Sequence, residues 1–193
     1  ERKMKALITG GLGFLGSNLA KYLAERDNEI VVYDNMSRRG ADDYNYKRLC
    51  NNRNIKLIRG ELDDLPEFMA NERINRSPFK IVYHFAAQVA VTASYENPRS
   101  DFRINALGSF NLAASTDTPI IYASTNKVYG DNVNSVDIEE GKTRYDFRGE
   151  YKGRGIPETF SIDAKKHTPY GISKLVGDLW TREKGGVANR FSC

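Results

Sequence analysis

Cysteine is nearly absent from the 193-residue chain, which has only Cys50 and Cys193. Two thiols cannot staple a small fold, so a disulfide scaffold is excluded and a reducing, cytoplasmic setting is expected. Histidine is equally scarce, with His84 and His167 alone. Neither has the ligand company that a zinc site needs, and no metal is expected. No apolar run approaches the roughly 18 residues that cross a bilayer, so no membrane contact is expected. Glu1-Arg2-Lys3 leads straight into a strand-like segment, without the apolar stretch of a secretory leader. Charge of one sign is not massed anywhere. The 29 Lys+Arg are scattered among 25 Asp+Glu for a net charge of +4, so no nucleic-acid partner is expected.

What is present is the composition of one soluble globular domain, 40% hydrophobic and 28% charged. Short apolar runs alternate with longer amphipathic stretches, the pattern of βα units that build a parallel sheet. Strands are expected at 4–9, 29–33, 55–59, 80–84, 119–124 and 187–191. Helices are expected at 14–26, with Leu15, Leu19 and Leu23 on one face, and at 65–74, 98–115 and 169–182. Pro98 and Pro169 fall in the first turns of their helices, where a missing N–H does no harm. Residues 131–166 are polar and lack periodicity, and so long a loop is expected to be functional or mobile.

Gly10, Gly13 and Gly16 form G-x-x-G-x-x-G directly after the first strand and at the opening of the first helix. Glycines there let the backbone approach a pyrophosphate, whose charge meets the N–H groups of the helix N-terminus. Asp34 closes the second strand, where a carboxylate would accept hydrogen bonds from an adenine ribose diol. The two features in register predict a Rossmann-type, doubly wound parallel sheet of the α/β class. Asp34 would repel a ribose 2′-phosphate. Arg38 and Arg39 could pair with one, but read as a solvated loop pair, so NAD is the expected cofactor.

Tyr170 and Lys174, four apart on a predicted helix, share a face. That pair alone is weak, but an ammonium beside a phenol would lower the phenol's pKa and make a usable base. Thr125 falls just past the fifth strand, at the edge where open α/β sheets bind ligands. Its hydroxyl could hold a substrate hydroxyl or a developing carbonyl.

TGGLGFLG (9–16), HFAA (84–87), STNKVYGD (124–131) and YGISK (170–174) resemble the extended short-chain dehydrogenase/reductase superfamily. The resemblance covers roughly residues 4–193. Within the superfamily, DNMSRRGA (34–41), AAQVAVTASYENP (86–98) and residues 143–174 are similar to the enzymes that invert C2 of a CDP-linked sugar. The resemblance implies Thr125, Tyr170 and Lys174 as the catalytic trio, with Asn105 supporting Lys174. It implies NAD held by Gly10, Gly13, Phe14, Leu15, Gly16, Asp34, Asn35, Glu61, Leu62, Ala86 and Lys174. The CDP-sugar would be met by Gln88, Thr125, Asn126, Lys127 and Tyr170, and His84 is expected to be a packed structural residue.

The 4,6-dehydratases of the superfamily look like Thr-Asp-Glu at 125–127, because eliminating water needs a carboxylic acid and base. Asn126 and Lys127 supply neither, which disfavours dehydration. UDP-sugar 4-epimerases, decarboxylases and a non-catalytic NAD-binding module stay open as alternatives. Glu61 departs from the aspartate usual at that position, and the segments after Asn111 and Lys174 look short. The resemblance also implies a substrate-binding domain beyond residue 193, a dimer or tetramer packed through the 98–115 and 169–182 helices, and a role in O-antigen assembly.

Overall fold

The computed structural model describes residues 3–74, 79–163 and 165–190. Its strands are β1 (Lys5–Thr9), β2 (Glu29–Asp34), β3 (Ile55–Arg59), β4 (Ile81–His84), β5 (Ile120–Ala123), β6 (Ile138–Glu140), β7 (Tyr145–Phe147) and β8 (Val187–Asn189). Its α-helices are α1 (Phe14–Ala24), α2 (Tyr46–Leu49), α3 (Leu65–Ile74), α4 (Val91–Glu96), α5 (Pro98–Phe102), α6 (Gly108–Ser115) and α7 (Pro169–Glu183).

Six strands form one parallel sheet in the order β3-β2-β1-β4-β5-β8. The order reverses between β1 and β4, which opens a crevice beyond the C-terminal ends of those strands. β1 is buried on both faces, as strands covered by helices must be. Ala6 and Ile8 join Ala20 and Ala24 of α1 in one core layer. Leu7 points the other way, joining Leu65 and Met69 of α3 and Leu112 of α6.

α1 meets the sheet through Gly16, Ser17, Ala20 and Ala24, while Leu19 and Leu23 pack at the flank. Leu15 does not share that face and is 56% exposed. Small residues let the helix axis come closer than a leucine face would allow, so the contact differs from the one expected.

The stretch 98–115 is helical throughout, but with a π-helical turn at Arg103–Leu107 between α5 and α6. One extra residue per turn there rotates Asn105 into the interior, where it is 1% exposed. Pro98 opens α5 behind Asn97, whose side chain accepts the Ser100 N–H at 3.0 Å. At α7, Thr168 accepts the Gly171 N–H at 2.9 Å, with Pro169 next in line.

The 131–166 stretch is not structureless. β6 and β7 pair as an antiparallel hairpin, Ile138 opposite Phe147. The stretch is tied back by Asp131 N–H to Lys166 O (2.8 Å), Asn132 Nδ2 to Ser161 O (2.9 Å) and Tyr129 Oη to Pro157 O (3.2 Å). Phe160 stands edge-on to both Tyr129 and Tyr151. Its polar sequence hides these anchors because most run through backbone carbonyls. α2, α4 and the π-helical turn at Ala41–Asn45 were likewise not expected. Phe191 and Cys193 lie outside the described residues. No helix among the described residues is long and apolar enough to cross a membrane.

Candidate active site

Parallel strands bring the turns after β1, β2, β3, β4 and β5 to one edge of the sheet. The glycine turn is the tightest of them. Gly10 has φ +66°, and a Cβ there would sit 2.5 Å from the Ala86 amide nitrogen. A Cβ on Gly16 would lie 2.4 Å from the Gly10 carbonyl oxygen. Both positions therefore need glycine. Gly13 caps α1 with no side chain on the first N–H groups, and Phe14, next in line, is 81% exposed. A helix N-terminus whose leading amides lack protein acceptors fits an anionic oxygen.

Asp34 ends β2 beside this turn. Its Oδ2 accepts the Leu12 N–H at 2.9 Å and its Oδ1 the Met36 N–H at 2.8 Å. Each oxygen keeps a further lone pair, so the carboxylate can brace the turn and still take a ribose hydroxyl. Asn35 donates to Glu61, at 3.1 Å to the nearer carboxylate oxygen. The Glu61 carbonyl accepts the Tyr33 hydroxyl at 2.9 Å, and Leu62 follows in a short 3₁₀ turn. The glycine turn can take an anionic pyrophosphate, and Asp34 beside it a ribose hydroxyl.

Thr125 follows β5 and caps the 3₁₀ segment Asn126–Ser135, its Oγ1 accepting the Lys127 N–H at 3.3 Å. Tyr170, in the first turn of α7, faces Thr125, whose hydroxyl is near enough to pull the phenol's pKa down. α7 comes this close because Gly171 faces the Lys127 carbonyl, which a Cβ would approach to 2.5 Å. Asn126 and Lys127 thus flank the Thr125–Tyr170 contact, Asn126 half-buried and Lys127 exposed.

Lys174 lies one turn further along the same helix, 3% exposed, its Nζ 4.1 Å from the centre of the Tyr122 ring. Burial pulls its pKa down to about 7, opposed by the charges of Asp178 and Asp101. The Tyr170 phenol is shifted up by burial, pulled down by Thr125 and pushed up by Asp101. This corrects the expectation that Lys174 acidifies Tyr170. The ammonium lies under Tyr122 and is not among the causes acting on the phenol.

Asn105 supports the site through neighbours of Lys174. Its Nδ2 donates to Gln88 O (2.9 Å), Asp101 Oδ1 (3.1 Å) and Ser173 Oγ (3.2 Å), and its Oδ1 accepts the Gln88 N–H (2.9 Å). Gln88 differs from its expected role. Its Nε2 donates to Asp101 Oδ1 (2.8 Å) and Ala90 O (2.9 Å), and its Oε1 accepts the Ala90 N–H. The amide is consumed in holding its own loop and is not offered to a sugar.

His84 is fully packed, with Nδ1 2.6 Å from Thr9 Oγ1 and Nε2 3.0 Å from Ser109 Oγ. Burial, with the Lys174 charge adding to it, drops its pKa to about 3, so it stays neutral. His167 has a partner that sequence could not show: its Nε2 lies 3.0 Å from the Val128 carbonyl. Among the described residues no three His, Cys, Asp or Glu side chains group to hold a metal.

Three buried charged residues packed around α7 escaped the sequence reading. Asp101 is 1% exposed and accepts from Gln88, Asn105 and Ser173. Asp178, 0% exposed, accepts Ser124 Oγ at 2.7 Å and both Nε and Nη2 of Arg190 at 3.0 Å. Arg190 also donates from Nη1 to the Glu158 carbonyl at 2.7 Å, tying the loop before α7 to the end of β8. The available signal was spacing: Asp101 precedes Asn105 by four residues, and Asp178 follows Lys174 by four.

Sheet order and the glycine turn define a Rossmann-type domain, with Thr125, Tyr170 and Lys174 gathered near one sheet edge. The sequence profile of the GDP-mannose 4,6 dehydratase family matches residues 7–185, and the chain belongs to that family of extended short-chain dehydrogenases/reductases. CDP-paratose 2-epimerase of Salmonella typhi is 39% identical over 182 residues, 92% of this chain and 52% of that protein. The X-ray structure of Pal from Bacillus thuringiensis superposes with TM-score 0.75 at 27% identity, covering 97% of this chain and 55% of that one. UDP-glucose 4-epimerase of Thermus thermophilus, solved with NAD, gives TM-score 0.67 at 26% identity, with coverage of 97% and 54%. The chain spans about half the length of the curated relatives it matches.

Proposed function

We propose that this chain is the cofactor-binding and catalytic half of an NAD-dependent nucleotide-sugar epimerase. Its substrate is CDP-paratose, inverted at C2 to CDP-tyvelose through a 2-keto sugar. The observation that carries the reading is the nearness of the Tyr170 phenol to the Thr125 hydroxyl at the sheet edge, flanked by Asn126 and Lys127. Redox chemistry at a carbinol needs that hydroxyl–phenol pair, whereas elimination of water needs a carboxyl at 126 or 127. Similarity to CDP-paratose 2-epimerase supports the choice of carbon and nucleotide.

When bound, NAD supplies a reversible hydride acceptor. Gly10, Gly13 and Gly16, with the amides of Phe14 and Leu15, would hold its pyrophosphate. Asp34 and Asn35 would hold the adenine ribose, Glu61 and Leu62 the adenine, and Ala86 with Lys174 the nicotinamide ribose. Thr125 orients the sugar 2-hydroxyl, and Tyr170 in its ionised form takes the proton from that oxygen. The keto sugar turns in the crevice, and Tyr170 returns the proton once C2 is reduced on its other face. Bringing the Tyr170 phenol into range near neutral pH needs positive charge, which the oxidised nicotinamide ring would provide. Lys127 is placed to meet the sugar or its diphosphate.

A substrate-binding domain beyond residue 193 and a homo-oligomer complete this reading. Exposed Phe102, Leu107, Ile172, Leu179 and Trp180 on the α5–α6 and α7 stretches support packing through those helices. O-antigen synthesis in the cytoplasm is the setting that fits.

CDP-paratose deuterated at C2, incubated with the full-length protein and followed by NMR, tests the function. Product with C2 inverted and the deuterium retained is expected. Failure to invert C2 with NAD bound overturns the reading. Inversion of UDP-glucose at C4 favours the second one, a UDP-sugar 4-epimerase, to which the hydroxyl–phenol pair is equally suited.

A further inference from the structure

Asp101 is a carboxylate with 1% exposure that the proposed chemistry does not use. Burying an ionised carboxylate costs several kcal/mol unless its lone pairs are met. Here they are met by neutral donors from three separate pieces of chain. Ser173 Oγ donates to Oδ2 at 2.5 Å, while Gln88 Nε2 and Asn105 Nδ2 donate to Oδ1 at 2.8 and 3.1 Å. Ser173 lies between the two α7 residues Tyr170 and Lys174, its Oγ 3.0 Å from the Tyr170 carbonyl oxygen. Gln88 belongs to the turn after β4, and Asn105 to the π-helical turn that follows α5.

We propose that Asp101 is a positioning residue for Tyr170 and Lys174, locking α7 against the turn after β4 through Ser173, Asn105 and Gln88. The inference rests on the reading of Tyr170 as the proton-transferring group. A helix carried only by apolar contacts can slide or rotate by fractions of an ångström. One carboxylate gripping three segments removes that freedom where Tyr170 must meet Thr125. The same charge acts on both functional side chains, raising the Tyr170 phenol and opposing the loss of the Lys174 proton. The titratable groups packed round the pair are Asp101 of α5, Asp178 of α7, Tyr122 of β5 and the neutral His84 of β4.

The test compares full-length wild type with Asp101→Asn, Ser173→Ala and the double variant. Steady-state kinetics on CDP-paratose, NAD content and the thermal midpoint are measured for each. Asp101→Asn should lower kcat about a hundredfold, the scale expected of a small misplacement, with KM within threefold and NAD retained. The double variant should be no slower than Asp101→Asn alone, because both changes break one link. Independent multiplication of the two kcat losses, or a loss that tracks only the thermal midpoint, overturns the proposal. A substrate-free readout is the ionisation of Tyr170 followed by NMR with ¹³Cζ-labelled tyrosine. Its midpoint should move down in Asp101→Asn, and an unmoved midpoint overturns the proposal. If wild type leaves CDP-paratose unchanged, the substrate reading falls, and the Tyr170 titration still decides the role of Asp101.

Discussion

The Lys174 ammonium lies over the face of Tyr122, 4.1 Å from the ring centre, beneath the helix that also carries Tyr170. Aromatic quadrupole and buried carboxylates favour the charge there, yet burial outweighs them and takes the pKa from 10.5 to about 7. Between pH 7 and 10.5 the unfolded chain therefore holds more protons at this residue than the folded one. Wild-type stability should rise with pH across that window by an amount on the order of 3 kcal/mol. Lys174→Met should lack this rise, as measured by urea unfolding of NAD-free protein at pH 6.5 and 9.5.

Tyr170→Phe removes the phenol oxygen that meets Thr125 and keeps the ring. Turnover should fall by about 10²-fold or more, while NAD stays bound. Chromatographic assay of CDP-sugars and the absorbance of released cofactor measure the two separately. Loss of NAD along with turnover would assign Tyr170 chiefly to holding the cofactor.

Gly10→Ala and Gly16→Ala should behave differently from Gly13→Ala. At the first two positions a methyl would strike backbone at 2.5 and 2.4 Å, whereas at Gly13 the nearest atom is 3.2 Å away. Gly10→Ala and Gly16→Ala should destabilise the fold by about 1–3 kcal/mol and weaken NAD binding. Gly13→Ala should leave the thermal midpoint nearly unchanged and weaken NAD alone. Thermal unfolding with and without NAD separates the two effects.

Arg190→Ala leaves the Asp178 carboxylate buried without its bidentate partner. Arg182 Nε, 3.0 Å from Asp178 Oδ1, remains, but from a side chain 42% exposed. The expected loss is about 3–5 kcal/mol by urea unfolding, with Asp178→Asn/Arg190→Met recovering part of it. Proteolytic sensitivity of the 157–163 stretch should rise in the single variant, because Arg190 also holds the Glu158 carbonyl.

Sheet, glycine turn and the two helix-opening prolines were legible because each is a local matter of period, chain reversal or a missing N–H. The strand at 55–59 and the helix at 65–74 stand at the residues their periodicity predicts. The π-helical turn at 103–107 was not legible, because an i→i+5 register leaves no mark on the apolar period. Its consequence is the inward Asn105, which only the resemblance named. Gln88 and Lys174 touch other groups than their expected roles imply, since side-chain direction depends on partners remote in sequence.

The residue order alone determined that this chain folds as alternating strands and helices, with glycines at the one turn where backbone meets backbone. It also determined that Thr125 comes to the ligand-binding edge of the sheet, because parallel strands deliver their following turns to one side. What it meets there was decided only by tertiary packing. α7 approaches the 3₁₀ segment closely enough to join Tyr170 to Thr125, and in doing so buries Lys174 under Tyr122 and Asp101 among three donors. The Asp101 contacts alone reach 13 residues back to Gln88 and 72 forward to Ser173, and no local pattern encodes the distance between two helices. Burial then sets the proton affinities of the site, since the dielectric around a group belongs to the fold and not to the residue.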